Sequence, residues 1–146
     1  MTMELDITVF RSDRPGIRKV LGDLEADIME LIWALPDQQS ITVREVFETL
    51  YEQRRIAYTT VMNTMTRLAK KHLLDVKKED MAYIYTPSMT QQEFISRFVR
   101  HILEDLFVSF SKETLHGLDA LPDAQVAETA RAYLHEITQR RAQEEG

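Results

Sequence analysis

The chain has 146 residues, 44% of them hydrophobic, and a formal net charge of −6. That length supports one compact domain with an appendage, or two small modules, and supplies enough apolar residues for a core. The absence of cysteine excludes disulfides, thiolate zinc sites, iron–sulfur ligation and a cysteine nucleophile. The longest apolar run, Leu31 to Leu35, is far short of a membrane span, and no basic-then-apolar leader opens the chain, so a cytoplasmic protein is expected.

Residues 1–20 show weak periodicity and hold Arg11, Arg14, Pro15, Gly16, Arg18 and Lys19. They read as an arm, either laid against a nucleic acid or, the preferred reading, a partly disordered tail. Asp23 can cap a helix to about Leu35 with Leu24, Ile28, Leu31 and Leu35 as its core stripe and Trp33 as an anchor; Pro36-Asp37 then breaks it. Thr42-Val43-Arg44-Glu45 is a capping box, in which hydroxyl and carboxylate satisfy free backbone amides reciprocally. The helix it opens buries Val43, Val46, Phe47 and Leu50 and ends near Arg54-Arg55, where cations suit a helix C-terminus.

A third helix follows after a tight link, from Ile56-Ala57-Tyr58 to about Lys71, with His72 as terminator. Tyr58, Val61, Met65 and Leu68 form its buried stripe. Thr59, Thr60, Asn63, Thr64 and Arg67 are assigned to the outward face: small hydrogen-bonding side chains and one cation, suited to entering a DNA major groove. Beyond it, Leu74 to Lys78 and Ala82 to Thr86 alternate as strands around a turn at Glu79-Asp80-Met81. Three helices and a hairpin make a winged helix-turn-helix. Residues 54–78 hold seven basic residues against the single Asp75, so a basic window sits on an otherwise acidic chain. That pattern fits local phosphate contact with non-specific binding suppressed, or simply a solvated lysine-rich turn.

Pro87-Ser88-Met89 separates a second region, opened by another capping box at Thr90-Gln91-Gln92-Glu93. A long helix then carries Phe94, Phe98, Ile102 and Leu106 at fourfold spacing, joined by Ile95, Val99, Leu103 and Phe107. This exceeds what a small domain's outer helix needs and predicts a face buried against a second chain. Gly117 and Pro122 interrupt the pattern, and a last helix from about Ala124 to Gln143 turns Val126, Ala130, Tyr133, Leu134 and Ile137 inward. The resulting division is an arm at 1–20, a winged-helix domain at 21–89 and a helical dimerisation region at 90–146, mainly α with a small β-hairpin wing.

No catalytic constellation emerges. His101, His116 and His135 lack metal-ligand spacing, so neither a metal nor a cofactor is expected. Glu104-Asp105 and Glu144-Glu145 diverge as helix neighbours, and Ser109 and Ser111 lack a nucleophile context. Met29, Met62 and Met65 read as core filler.

Leu24-Glu25-Ala26 through Trp33, Thr42 through Val46, Ile56 through Met62 with Arg67-Leu68 and Lys70-Lys71, and Ala82-Tyr83-Ile84-Tyr85 together resemble the penicillinase-repressor family (BlaI/MecI/CopY), strongly over residues 21–90 and in layout beyond. The resemblance implies a winged-helix transcriptional repressor that dimerises through its C-terminal helices and binds an inverted-repeat operator of double-stranded DNA. It makes the third helix the recognition helix. Asn63 then suits adenine, Arg67 guanine or phosphate, and Lys70, Lys71, Lys77 and Lys78 phosphates, with Arg44 a weaker phosphate candidate. Tyr58 is counted in both the buried and the DNA-facing sets. The chain also departs from the family pattern. His72 replaces a common glycine at a helix end that favours a left-handed backbone, and Asp80-Met81 replaces Gly-Arg at the wing tip, predicting weaker wing contacts. Neither the copper-sensing cysteine pairs nor the Asn-Phe cleavage bond of responsive members is present. The alternative to a repressor is a winged-helix module for protein–protein contact, favoured by the acidic total and the depleted wing.

Overall fold

The computed structural model describes residues 9–36, 39–121 and 124–145. The chain divides into two compact units, Met1–Val99 and Arg100–Gly146. In the first, a 3₁₀ turn (Gly16–Lys19) leads into α1 (Asp23–Trp33), β1 (Ile41–Thr42), α2 (Val43–Gln53), α3 (Tyr58–Lys70) and a hairpin of β2 (Leu74–Glu79) and β3 (Ala82–Pro87). Helix α4 (Gln91–Ser109) follows, then α5 (Ser111–Asp119) and α6 (Ala124–Glu145). Among the described residues no helix is long and apolar enough to cross a membrane.

The start of α1 differs from the sequence expectation. Gly22, not Asp23, is the N-cap, and its N–H donates to Glu25 Oε1 at 3.0 Å. The buried face is also rotated: Ala26, Ile28, Met29 and Ile32 face the core, while Leu24, Leu31 and Leu35 are half-buried. Nearly every side of α1 offers an apolar residue, so its neighbours choose the face. Trp33 does anchor the helix end, donating from Nε1 to the Met89 carbonyl at 3.0 Å and tilting against Phe94 at a centroid distance of 5.6 Å. Asp37 lies outside the described residues, as does Pro122.

The capping box of α2 forms as expected. Thr42 Oγ1 accepts from Glu45 N–H and Glu45 Oε1 from Thr42 N–H, each at 3.2 Å. Helix α3 begins after the link at Arg54 to Ala57 and buries Val61, Met65 and Leu68. It ends in a Schellman motif: His72 N–H donates to Ala69 O and Leu73 N–H to Leu68 O, with His72 at φ 67°. Histidine thus takes the left-handed position that glycine takes most cheaply. The buried Leu68 and Leu73 supply the hydrophobic contact that accompanies such a cap.

The wing turns over two residues, Asp80 (φ 49°) and Met81 (φ 68°), with Glu79 paired to Ala82. Positive φ at both central positions is the turn whose twist matches a tight hairpin. The sequence reading missed β1, which pairs antiparallel with β3 through Ile41–Tyr85 and Thr42–Ile84, giving the order β1-β3-β2. Two residues carry too little periodicity to reveal such a strand.

The second capping box also forms, Glu93 N–H donating to Thr90 Oγ1 at 3.1 Å. The first turns of α4 belong to the first unit's core, where Phe94 is 0% exposed and packs on Phe98 at 5.3 Å. In the second unit, α5 was not anticipated. It occupies the stretch around Gly117 that the sequence suggested was an interruption.

Candidate nucleic-acid interface

Helix α3 presents a broad exposed face. Thr59, Thr60, Asn63 and Arg67 lie on it, as the sequence assigned them, and Lys70 is exposed as well. Thr64 does not. It is 1% exposed, because it stands three residues after Val61 and four before Leu68, inside the buried stripe. Its hydroxyl donates to the Thr60 carbonyl at 2.8 Å and accepts from Arg67 Nη2 at 3.3 Å. Thr64 therefore steers Arg67 from beneath and cannot touch a groove itself. Tyr58 is not buried either: it sits at the rim, edge-on to Phe47 at 5.5 Å. Two residues overlooked on this face are Met62, 39% exposed and so not core filler, and Thr66, whose hydroxyl donates to the Met62 carbonyl at 2.9 Å. Their spacing of four from each other was the available signal.

The basic window delivers fewer cations to this face than its count suggests. Lys71 Nζ is held at 2.8 Å by Oε2 of Glu25, a buried residue of α1. Lys71 is thereby paired within the fold, and leaving Glu25 for a phosphate would strand a buried charge. Arg54 pairs with Asp27 at 3.1 Å, and Arg55 lies over the Tyr51 ring at 4.5 Å. Lys77 and Lys78 point to opposite faces of the hairpin, because neighbouring strand residues alternate. Lys78 shares the face of Val76 and Tyr83 and lies 6.0 Å from the Tyr83 ring. Lys77 shares the other face with Asp75 and Glu79, two residues away on either side. Arg44 projects from the first turn of α2 with only a loose 3.8 Å pairing to Glu48. That leaves Lys70, Lys78 and Arg44 as exposed cations with little or no carboxylate pairing, while Lys77 stands between Asp75 and Glu79.

The basic residues between Arg14 and Lys19 turn inward. Arg14 and Arg18 both pair with Asp23, Arg18 also with Asp27, and Lys19 Nζ donates to the Ser12 carbonyl at 3.0 Å. The hydrogen bond from Arg18 holds the Asp23 carboxyl below its ordinary value, and that to Asp27 raises Arg18. Residues 9–20 are thus folded against α1 through these pairs; residues 1–8 lie outside the described set.

A cleft of about 690 Å³ opens between α3 and the wing, with Arg44, Tyr58, Met62, Thr66, Met81 and Tyr83 among its lining residues. At the wing tip Met81 is 92% exposed.

Of the residues assigned to a subunit interface, Phe94 and Phe98 are corrected: both are buried with Trp33 in the first unit and offer no surface to a second chain. Ile95 is exposed, and Val99 is half-buried. In the second unit Leu106 and Val126 are exposed, while Ile102, Leu103, Phe107 and Ala130 are half-buried. Val108, Phe110 and Leu115 add exposed apolar surface that the sequence reading had not included. The side chains of Tyr133, Leu134 and Ile137 lie outside the described residues.

The sequence profile described as penicillinase repressor matches residues 21–140. The chain belongs to the penicillinase repressor family. Within the family it is 42% identical over 76 residues to the transcriptional regulator BlaI of Mycobacterium tuberculosis, covering 52% of this chain and 54% of that protein. The chain thus spans about half the length of that relative. A second relative, the penicillinase repressor of Bacillus licheniformis, is 26% identical over 98 residues, covering 62% of this chain and 74% of that one. Among solved structures, the solution structure of the DNA binding domain of the repressor BlaI is similar with a TM-score of 0.45 and 28% identity, covering 56% of this chain and 95% of that chain.

Proposed function

We propose that this penicillinase repressor family member is a dimeric, sequence-specific transcriptional repressor acting on double-stranded DNA in the cytoplasm. In this reading α3 enters the major groove of each half of an inverted repeat. The observation that carries it is the outer face of α3. There Thr59, Thr60, Asn63 and Lys70 are exposed, and among the described residues their side chains make no hydrogen bond or ion pair. Such a face leaves donors and acceptors available for base edges, and asparagine and arginine, here Asn63 and Arg67, are the side-chain types that pair with adenine and guanine respectively. Lys70, Arg44 and the wing's Lys78 supply phosphate contacts that fix register without reading sequence. The names of the two relatives, a transcriptional regulator and a penicillinase repressor, point the same way. Two copies are held together through the second unit, where Leu106, Val108, Phe110 and Leu115 present apolar side chains to solvent in the single chain.

The test is selection of bound duplexes from a random-sequence pool at two salt concentrations, with the mass of the complex measured. A repressor enriches an inverted repeat, binds it as two copies and loses affinity steeply with salt. A winged-helix module for protein contact would enrich nothing and show no steep salt dependence.

A further inference from the structure

We propose that the cleft between α3 and the wing binds a flat aromatic anion, an aryl carboxylate or sulfonate, and that its occupation keeps the protein off DNA. The site stands on the cleft alone, and only the exclusion of DNA rests on the repressor reading above.

The cleft holds about 690 Å³, a volume in the range of small-molecule sites. One wall is α3, where Tyr58, Met62 and Thr66 recur at the spacing of one helical face. The other is the hairpin, where Val76 stands opposite Tyr85 in register and Met81 and Tyr83 continue toward the tip. Tyr58, Met62, Val76, Met81 and Tyr83 are all exposed large apolar side chains, and they gather around this one space. Apolar surface collected in this way marks a binding site, whereas the same residues scattered singly would need no partner. Two walls carrying tyrosine rings and thioethers form a slot for a flat aromatic body, because ring edges and sulfur both pack favourably on aromatic groups.

The polar groups select the charge. Thr42 Oγ1 donates to Glu45 Oε1 at 3.0 Å and accepts from the Glu45 N–H, so it is committed to its helix cap. The Thr66 hydroxyl proton is held by the Met62 carbonyl at 2.9 Å. Among the described residues that line the cleft, Arg44 carries the only charge, and its contact with Glu48 is a loose 3.8 Å. Lys78 adds a second cation 6.0 Å from the Tyr83 ring. A ligand therefore gains from a carboxylate or sulfonate at one end, which a guanidinium receives as a fork, and from carbon along the rest. A phosphate backbone would meet a single guanidinium among carbon walls. Arg44 and Tyr58 also belong to the DNA-facing set, so ligand and duplex compete for them.

The experiment titrates the full chain with anilinonaphthalene sulfonate and with phenylnaphthylamine, the same ring system without the sulfonate, following probe fluorescence and backbone amide shifts. The sulfonate probe binds once per chain, shifts the amides of Arg44, Met62 and Tyr83, and binds about tenfold more tightly than the neutral probe, the worth of a hydrogen bond to a charged group. Arg44→Gln, at a side chain 75% exposed and so replaceable without unfolding, removes that advantage and leaves the neutral probe unaffected. The sulfonate probe also weakens binding of a duplex enriched from a random pool, in proportion to its own occupancy. Equal affinity for the two probes, an advantage that survives Arg44→Gln, or shifts confined to the second unit would overturn the site. A duplex bound equally well with and without the probe would overturn the exclusion. A pool that yields no enriched sequence would remove the repressor reading and the exclusion with it, while the site still stands or falls on the two probes.

Discussion

Truncating Phe94 to alanine separates two roles for the start of α4. The side chain is fully buried, stacked between Trp33 at 5.6 Å and Phe98 at 5.3 Å. A phenylalanine removes about 200 Å² from water, worth roughly 5 kcal/mol at 25 cal/mol/Å² before alanine's own share is subtracted. Measured truncations of buried phenylalanine fall at about 3–5 kcal/mol, cavity included. For a unit of the size of Met1–Val99 that corresponds to a fall in Tm on the order of 20 °C. The assay is thermal unfolding followed by tryptophan fluorescence, since Trp33 is the one tryptophan and touches Phe94 directly. The drop is expected to be the same at protein concentrations a hundredfold apart. A shift that shrinks as concentration rises would place Phe94 between subunits, because mass action then restores the folded state. A loss under about 1.5 kcal/mol would refute the packing argument outright.

Lysines 70 and 71 should behave oppositely. Lys70→Ala is expected to lower the slope of log affinity against log salt by about one with stability unchanged, whereas Lys71→Met leaves the slope alone and costs about 1–2 kcal/mol of stability, a buried-pair loss discounted for partial exposure. Urea titration beside salt-dependent binding reads both. His72→Gly should stabilise the fold by about 1 kcal/mol through relief of the left-handed backbone, visible as a higher urea midpoint at constant slope. The clamp of Arg14 and Arg18 on Asp23 carries a pH dependence. Because Asp23 is held below its ordinary value, its contribution is present above that value and is lost as pH falls through the lowered one. Protection of the Arg11 N–H, bonded to the Lys19 carbonyl, should therefore persist through mildly acid solution and fade only below the usual carboxylate range. Protection lost well above that range would dissociate the clamp from Asp23.

Much of the first unit was legible because its signals are local. Both Thr-x-x-Glu boxes, the period of α3 and the alternation of the hairpin each depend on residues within one turn or one strand. What escaped depends on distant neighbours. Whether α1 turns Met29 or Leu31 to the core is decided by the elements packed against it, and Glu25 takes Lys71 from 46 positions away. Phe94 and Phe98 looked like interface residues because the sequence cannot say whether an apolar surplus faces a second chain or the same one. Thr64 is the exception: its spacing from Val61 and Leu68 put it inside the stripe, but its polarity argued for the outside.

The site's electrostatics follow from those distant pairings. In sequence the window from Arg54 to Lys78 carries seven cations, yet Arg54 answers Asp27, Lys71 answers Glu25, Arg55 lies on Tyr51, and Lys77 stands between Asp75 and Glu79. Three or four cations, counting Arg44, remain for phosphates. At about 0.9 counterions per neutralised phosphate, the proposed DNA complex would have a salt slope of roughly −3 to −4 per copy. That is modest for a DNA binder, and the acidic remainder of the chain lowers non-specific affinity further. With so little sequence-independent attraction, the proposed repressor would draw its affinity from base contacts and from joining two copies on one duplex. A face built from Thr59, Met62, Asn63, Thr66 and Arg67, small or shaped side chains over a rigid helix, is suited to discriminate among sequences. A lysine-rich face would bind them all.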